Sequence, residues 1–238
     1  MAFDGTSLTP LLQDKKADWP ERALVVDSQR IENPEKWRKS AVMTDRWRLV
    51  NGKALYDMHA DPGQQKNVAT TYPEIVANLR KEYEAWWADV SVDFDDYCEI
   101  ILGAEEENPT CLNAMDWHTP IKQIPWNQPH ILNGLEGNGF WAVQVETPGH
   151  YRFELRRWPQ EADTPITDAV DGGVAIPITT ARLQIGDTDL SKRVAPGDVA
   201  ATFEATLKAG STRLQTWFAD KDGGSRGAYY VYVTRLKK

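Results

Sequence analysis

TDRWRLVNGKALYDMHADP, residues 44–62, decides how the first part of this chain folds. Arg46-Trp47-Arg48-Leu49-Val50 alternates polar and apolar side chains, the period of a half-buried strand. Asn51-Gly52 follows, a pair suited to a type I′ turn because both central positions of that turn take positive φ. Ala54-Leu55-Tyr56-Asp57-Met58 is then the returning strand, and Asp61-Pro62-Gly63 supplies the turn chemistry that ends it. The stretch is a β-hairpin with a sharp exit.

Working outward, residues 23–27 (ALVVD) and 40–44 (SAVMT) read as two more strands. With the hairpin at 46–58 they predict a four-stranded antiparallel sheet, with 31–37 as a loop. Thr9 before Pro10 marks the start of a short helix. Residues 71–90 predict the longest helix: Thr71 and Glu74 form a capping-box pattern, and Pro73 suits the first turn. Ile75, Leu79, Tyr83, Trp86 and Val90 recur at helical spacing and should lie on the sheet.

Residues 91–130 change character. Asp93, Asp95, Asp96 and the run 105–107 are acidic, and Pro109, Pro120, Pro125 and Pro129 interrupt any long element. The segment reads as a connector that packs down through Trp117 and Trp126. From 131 to 238 the period is two. Residues 140–146 and 150–157 flank Pro148-Gly149, and 181–186, 200–207, 212–219 and 229–236 are further strands. Gly210, Asp222-Gly223-Gly224 and Gly227 mark turns. Short strands with such turns predict a jelly-roll-like β-sandwich. The expected fold class is α+β for residues 1–90, then all-β.

The chain has 238 residues, 41% hydrophobic and 26% charged, as in an ordinary globular protein. A formal net charge of −8 argues against nucleic-acid and membrane-surface partners, which need a basic face. No run matches a membrane helix. MAFDGTSLTP lacks the features of a signal peptide, which taken alone reads as cytosolic. Cys98 and Cys111 either pair or stay free. The ten tryptophans are many, and suit a core or a stacking surface for sugars.

Residues 45–69, DRWRLVNGKALYDMHADPGQQKNVA, resemble the end of the catalytic domain of arylsulfatase-type sulfatases. There a hairpin of the form W-R-L-I … E-L-Y-D-L … D-P-x-E-x-x-N-L-A belongs to a small C-terminal antiparallel sheet. Residues 3–12 are similar to the D-G-x-S-L-x-P-L-L segment that leaves the large catalytic subdomain, so the resemblance covers residues 3–90. It implies a formylglycine nucleophile made within Cys/Ser-x-Pro-x-Arg, a calcium ion on Asp and Asn ligands, and His and Lys around the sulfate. Cys98 is followed by Glu-Ile-Ile-Leu and Cys111 by Leu-Asn-Ala-Met, no Ser-x-Pro-x-Arg occurs, and the paired aspartates are missing. No catalytic residue, metal ligand or cofactor is therefore assigned. Calcium belongs to the complete enzyme, this chain alone is expected to be inactive, and the parent enzyme is implied to be periplasmic or secreted.

Binding residues remain to be considered. In the resembling family the strand end carrying Gln29 and Arg30 faces the active-site mouth, where Arg30 would meet a sulfated or carboxylated group, or else form a surface salt bridge. Asp116-Trp117-His118 and Trp126-Asn127-Gln128 are similar to a D-W-H … W-N-Q segment after some bacterial sulfatase domains. Trp117, His118, Trp126 and Asn127 offer stacking and hydrogen bonds to a sugar, and a Trp-rich clasp between domains would use the same residue types. Arg156-Arg157-Trp158-Pro159 suggests an anion or sugar site, or ordinary surface arginines. Asp93, Asp95 and Asp96 lack the Gly and distal Glu of a calcium loop. His59, His118, His130 and His150 lack close ligand spacing. Three functions follow: a sulfatase C-terminal portion, a module binding plain or sulfated glycans, and a structural domain whose exposed seam self-associates.

Overall fold

The computed structural model describes residues 5–13, 19–29, 31–120 and 124–236. It divides into two compact units, one drawn from Met1–Gln29 and Pro34–Asp93, the other from Arg30–Asn33 and Phe94–Lys238. No helix of the described residues is long and apolar enough to cross a membrane.

In the first unit, β1 (Leu24–Asp27), β2 (Ser40–Met43), β3 (Trp47–Val50) and β4 (Ala54–Asp57) form one antiparallel sheet in chain order. A four-residue helix α1 (Thr9–Leu12) precedes it, and α2 (Pro73–Val90) packs on one face. The Asn51-Gly52 turn forms as its residues require, with φ of 49° and 65°. A Cβ on Gly52 would lie 2.8 Å from the Trp37 ring. That ring stacks on Tyr83 at 3.7 Å between centroids. The Tyr83 hydroxyl accepts the Trp37 N–H at 2.9 Å and donates to Asp27 at 3.1 Å. Arg80 donates twice to the Gly52 carbonyl, at 2.8 and 2.6 Å. The helix thus holds the hairpin turn directly.

The core of this unit is Val42, Leu49 and Leu55 from the sheet against Val76, Leu79 and Tyr83 from α2. Each fully buried apolar side chain of this kind stabilises by roughly 1.5–3 kcal/mol. The helical stripe is rotated from the expected one, with Val76 buried and Ile75 only packed at its side. The capping box does not form: Tyr72 is the N-cap, without a side-chain bond, and Pro73 fills the first position. Pro73 supplies the helical φ and has no N–H to orphan, so the end is set without Thr71. At α1 the N-cap is Leu8, one residue before Thr9.

The second unit is a β-sandwich. One sheet runs β10 (Thr188–Arg193), β9 (Ile178–Ile185), β12 (Gly210–Asp220), β7 (Phe140–Val145), β5 (Ile100–Leu102), with β13 (Ser225–Arg226) beside β12. The other runs β11 (Ala201–Leu207), β8 (Gly149–Arg156), β14 (Tyr230–Leu236), β6 (Thr110–Asn113). The pairs β6–β14, β7–β12, β8–β11 and β9–β10 nest inside one another and alternate between sheets, which is jelly-roll order. Strand β5 adds a parallel edge to β7. Both inner faces meet in one core, with Trp141, Tyr151, Phe153, Phe218 and Tyr229 almost wholly buried.

Residues 91–130 differ from a connector. They carry β5, β6 and the start of α3 (Gln128–Leu132), and Leu102, Leu112 and Trp117 lie in the sandwich core. Pro109, Pro120 and Pro125 sit between these short elements, and Pro129 takes a first-turn position in α3, where its missing N–H costs nothing. The polar edge strand β10, with the sequence TDLSKR, has almost no apolar alternation to announce it.

Candidate functional site

The residues that carry the sulfatase resemblance are engaged in building the hairpin's exit. Asp57 takes Arg46 at 2.7 Å on one oxygen and the N–H groups of His59 and Ala60 on the other. The Arg46 hydrogen bond holds the Asp57 carboxyl below the usual aspartate range, and the two backbone donors act the same way. Asp61 accepts the Lys66 N–H at 2.7 Å. Asn67 accepts the N–H groups of Leu55 and Ala69. Together with Val68 N–H on the Leu55 carbonyl, this ties the 61–69 segment to β4. Gln29 bridges Asp27, the Glu35 backbone and Arg38, so its amide is committed to the loop before β2. Arg30 lies outside the described residues.

The face of this sheet away from α2 is different. Leu24 and Val26 on β1 are 45% and 47% exposed, beside Met43 and Ala41 of β2 in register. A groove of about 710 Å³ opens there, lined by Trp19, Arg22, Leu24, Met43, Arg48 and Met58. The Arg48 Nε in that groove is buried without a hydrogen-bond partner.

In the sandwich the D-W-H and W-N-Q residues serve separate purposes. Trp117 is 3% exposed, edge-on to Trp141, with Gly139 and Gly227 against its ring, so it offers no face to a ligand in solvent. His118 pairs its backbone with Phe140 and packs its ring on Phe140 and Tyr97. Burial pushes the His118 imidazole below the ordinary histidine value. Asn127 caps α3 by accepting the His130 N–H at 3.0 Å. Trp126 is exposed and stands edge-on to His130.

Arg157, expected as an anion-binding or surface arginine, is fully buried. It donates to the carbonyls of Asp168 and Val174 at 3.2 and 2.7 Å and lies over Trp158 at 4.3 Å. Burial lowers its pKa to about 10. Cys98 and Cys111 are free and exposed. Among the described residues no three His, Cys, Asp or Glu side chains gather as a metal site would need.

One further set of residues comes together on the outer face of the β10-β9-β12-β7-β5 sheet. Gln184, Gln215 and Phe140 stand in one row across β9, β12 and β7. Arg213 lies one step along β12, its guanidinium 4.2 Å from the Phe140 ring centroid. Trp217 lies one step the other way, under Arg182, which is held by Asp189 at 2.7 Å. A groove of about 510 Å³ is lined by Phe140, Gln184, Asp187, Thr212, Arg213 and Gln215. The signal for this set was the polar half of the alternation in 212–219, where Arg213, Gln215 and Trp217 oppose the buried Leu214, Thr216 and Phe218.

No family model matches the chain, and no curated protein matches it. A solved structure described as a ruminal GH26 endo-β-1,4-mannanase is similar at 14% identity and a TM-score of 0.31, over 55% of this chain and 26% of that one. A likeness of that size bears on neither fold nor function.

Proposed function

We propose that the chain is the C-terminal portion of an arylsulfatase-type sulfatase. Residues 1–90 complete the small subdomain of its catalytic domain, and the jelly roll is an accessory domain. The observation that carries this reading is the sheet face away from α2, where Leu24 and Val26 stand exposed among the described residues beside half-buried Met43. A sheet packed on one face by a helix and apolar on the other is the middle layer of a larger core. In this reading the rest of the catalytic domain lies on that face. The Asp57, Asp61 and Asn67 side chains support it too, because they are spent on the hairpin's own backbone groups and on Arg46.

The test is the reading frame upstream of Met1. An in-frame Cys/Ser-x-Pro-x-Arg motif with paired aspartates is the expected result, and a stop codon followed by a start signal overturns the proposal. In parallel, this chain with added calcium should not hydrolyse a chromogenic sulfate ester. Turnover that survives extensive purification would also refute it.

A further inference from the structure

We propose that the outer face of the β10-β9-β12-β7-β5 sheet binds an acidic oligosaccharide, with its sulfate or carboxylate on Arg213 and its hydroxyls on Gln184 and Gln215. The inference stands on the sandwich alone and does not need the sulfatase reading.

Arg213 is an exposed cation whose contacts are the Phe140 and Tyr97 rings, and it forms no ion pair among the described residues. On the same face, Arg182 is neutralised by Asp189. Resting on an aromatic ring holds the guanidinium plane in place while leaving its donor edge for a planar or tetrahedral anion. The Gln184 side chain makes no hydrogen bond among the described residues, and that of Gln215 uses one amide hydrogen, on Asn138 at 3.3 Å. Two adjacent carboxamides with spare donors and acceptors match vicinal hydroxyls, which both give and take hydrogen bonds. Asp187 at the β9–β10 turn adds an acceptor at the far wall of the groove.

The groove volume of about 510 Å³ is that of a site for a small organic ligand. Along β12, Arg213 to Trp217 spans about 13 Å, so the polar row is long enough for a short run of sugar units. An extended peptide has no edge to add to here, because β12 and β9 are paired on both sides. A nucleic acid needs a row of basic contacts along its phosphate backbone, which a single unpaired arginine does not supply.

The test is calorimetric titration of the full chain with oligosaccharides of a sulfated galactan, a sulfated glycosaminoglycan and a polyuronate. Each is run beside its desulfated or carboxyl-reduced form. At least one acidic form should bind about tenfold or more tighter than its neutral counterpart, a difference of about 1.4 kcal/mol. Added salt should weaken the acidic form alone. Arg213→Met, which keeps the aliphatic stem over Phe140, should erase the preference, and Gln184→Ala should weaken both forms. Arg152→Gln, on the other sheet, should change nothing. No binding by any of the three glycans overturns the proposal. So does equal binding of acidic and neutral forms, or an unchanged preference in folded Arg213→Met. If Arg213→Met fails to fold, unchanged binding by Gln184→Ala overturns it instead. None of these outcomes touches the upstream reading frame, so the sulfatase reading is judged separately.

Discussion

Replacing Gly52 by alanine tests the account of the hairpin most directly. Gly52 sits at φ 65°, and a Cβ there would approach the Trp37 ring to 2.8 Å. The left-handed backbone costs an L-residue about 1–2 kcal/mol. The added methyl must also push Trp37 off Tyr83, where the stacked pair contributes about 0.5–1.5 kcal/mol. The sum is about 1.5–3.5 kcal/mol. Gly172→Ala is the comparison, because its φ is 74° and nothing lies within 4 Å of the new carbon. It should show the backbone cost alone, about 1–2 kcal/mol. Urea unfolding followed by tryptophan fluorescence and by far-ultraviolet circular dichroism measures both variants. For a unit of this size the Gly52→Ala loss is a fall in Tm of roughly 6–28 °C. A Gly52→Ala loss no larger than that of Gly172→Ala would refute the claim that Trp37 closes over the turn.

Tyr83→Phe should cost about 1–3 kcal/mol, because the Trp37 N–H loses its acceptor inside the packed layer. Arg157→Met should destabilise the sandwich by about 2–5 kcal/mol in chemical denaturation, since the carbonyls of Asp168 and Val174 are left without their donor. Arg46 lowers the folded-state pKa of Asp57, so this carboxylate favours folding above the ordinary aspartate range. That contribution is lost as pH falls through the depressed folded value. Asp57→Asn should therefore flatten the fall of Tm between about pH 5 and about pH 2. His118 should titrate by nuclear magnetic resonance below the ordinary histidine value of 6.5. The chain alone should self-associate through the open face in light scattering at high concentration, and Val26→Lys should return it to monomer.

The hairpin was legible because two local signals agreed: the alternation of 46–50 and 54–58, and an Asn-Gly pair that fixes the register between them. Strands 150–157 and 229–236 were legible through their alternation, whereas strand 140–146 is buried on both faces over its first four residues. Strands β5 and β6 were not, because no turn pair ties either to a neighbour in sequence, and their partners β7 and β14 lie far along the chain. Trp117 and Arg157 misled in a related way. Each is a polar-tipped residue beside others of its kind, and only the fold shows that Trp117 is walled in by two glycines and Arg157 by backbone carbonyls. Arg213 was hidden because an arginine on the polar side of a strand is unremarkable until Arg182 on the same face proves to be neutralised and Arg213 does not.

The nested strand order has a consequence for how the sandwich comes into being. Strand β6 is hydrogen-bonded to β14, and Thr110 faces Val233. During synthesis β6 therefore waits, unpaired along its length, while nearly the whole sandwich is made. Strand β14 then enters between β6 and β8 and closes a sheet from its middle. Non-local closure of this sort is slow. Loss of β14 would leave β8 and β6 as open edges facing water, so a nick or stop before Tyr230 would convert this domain into a template for aggregation instead of trimming it.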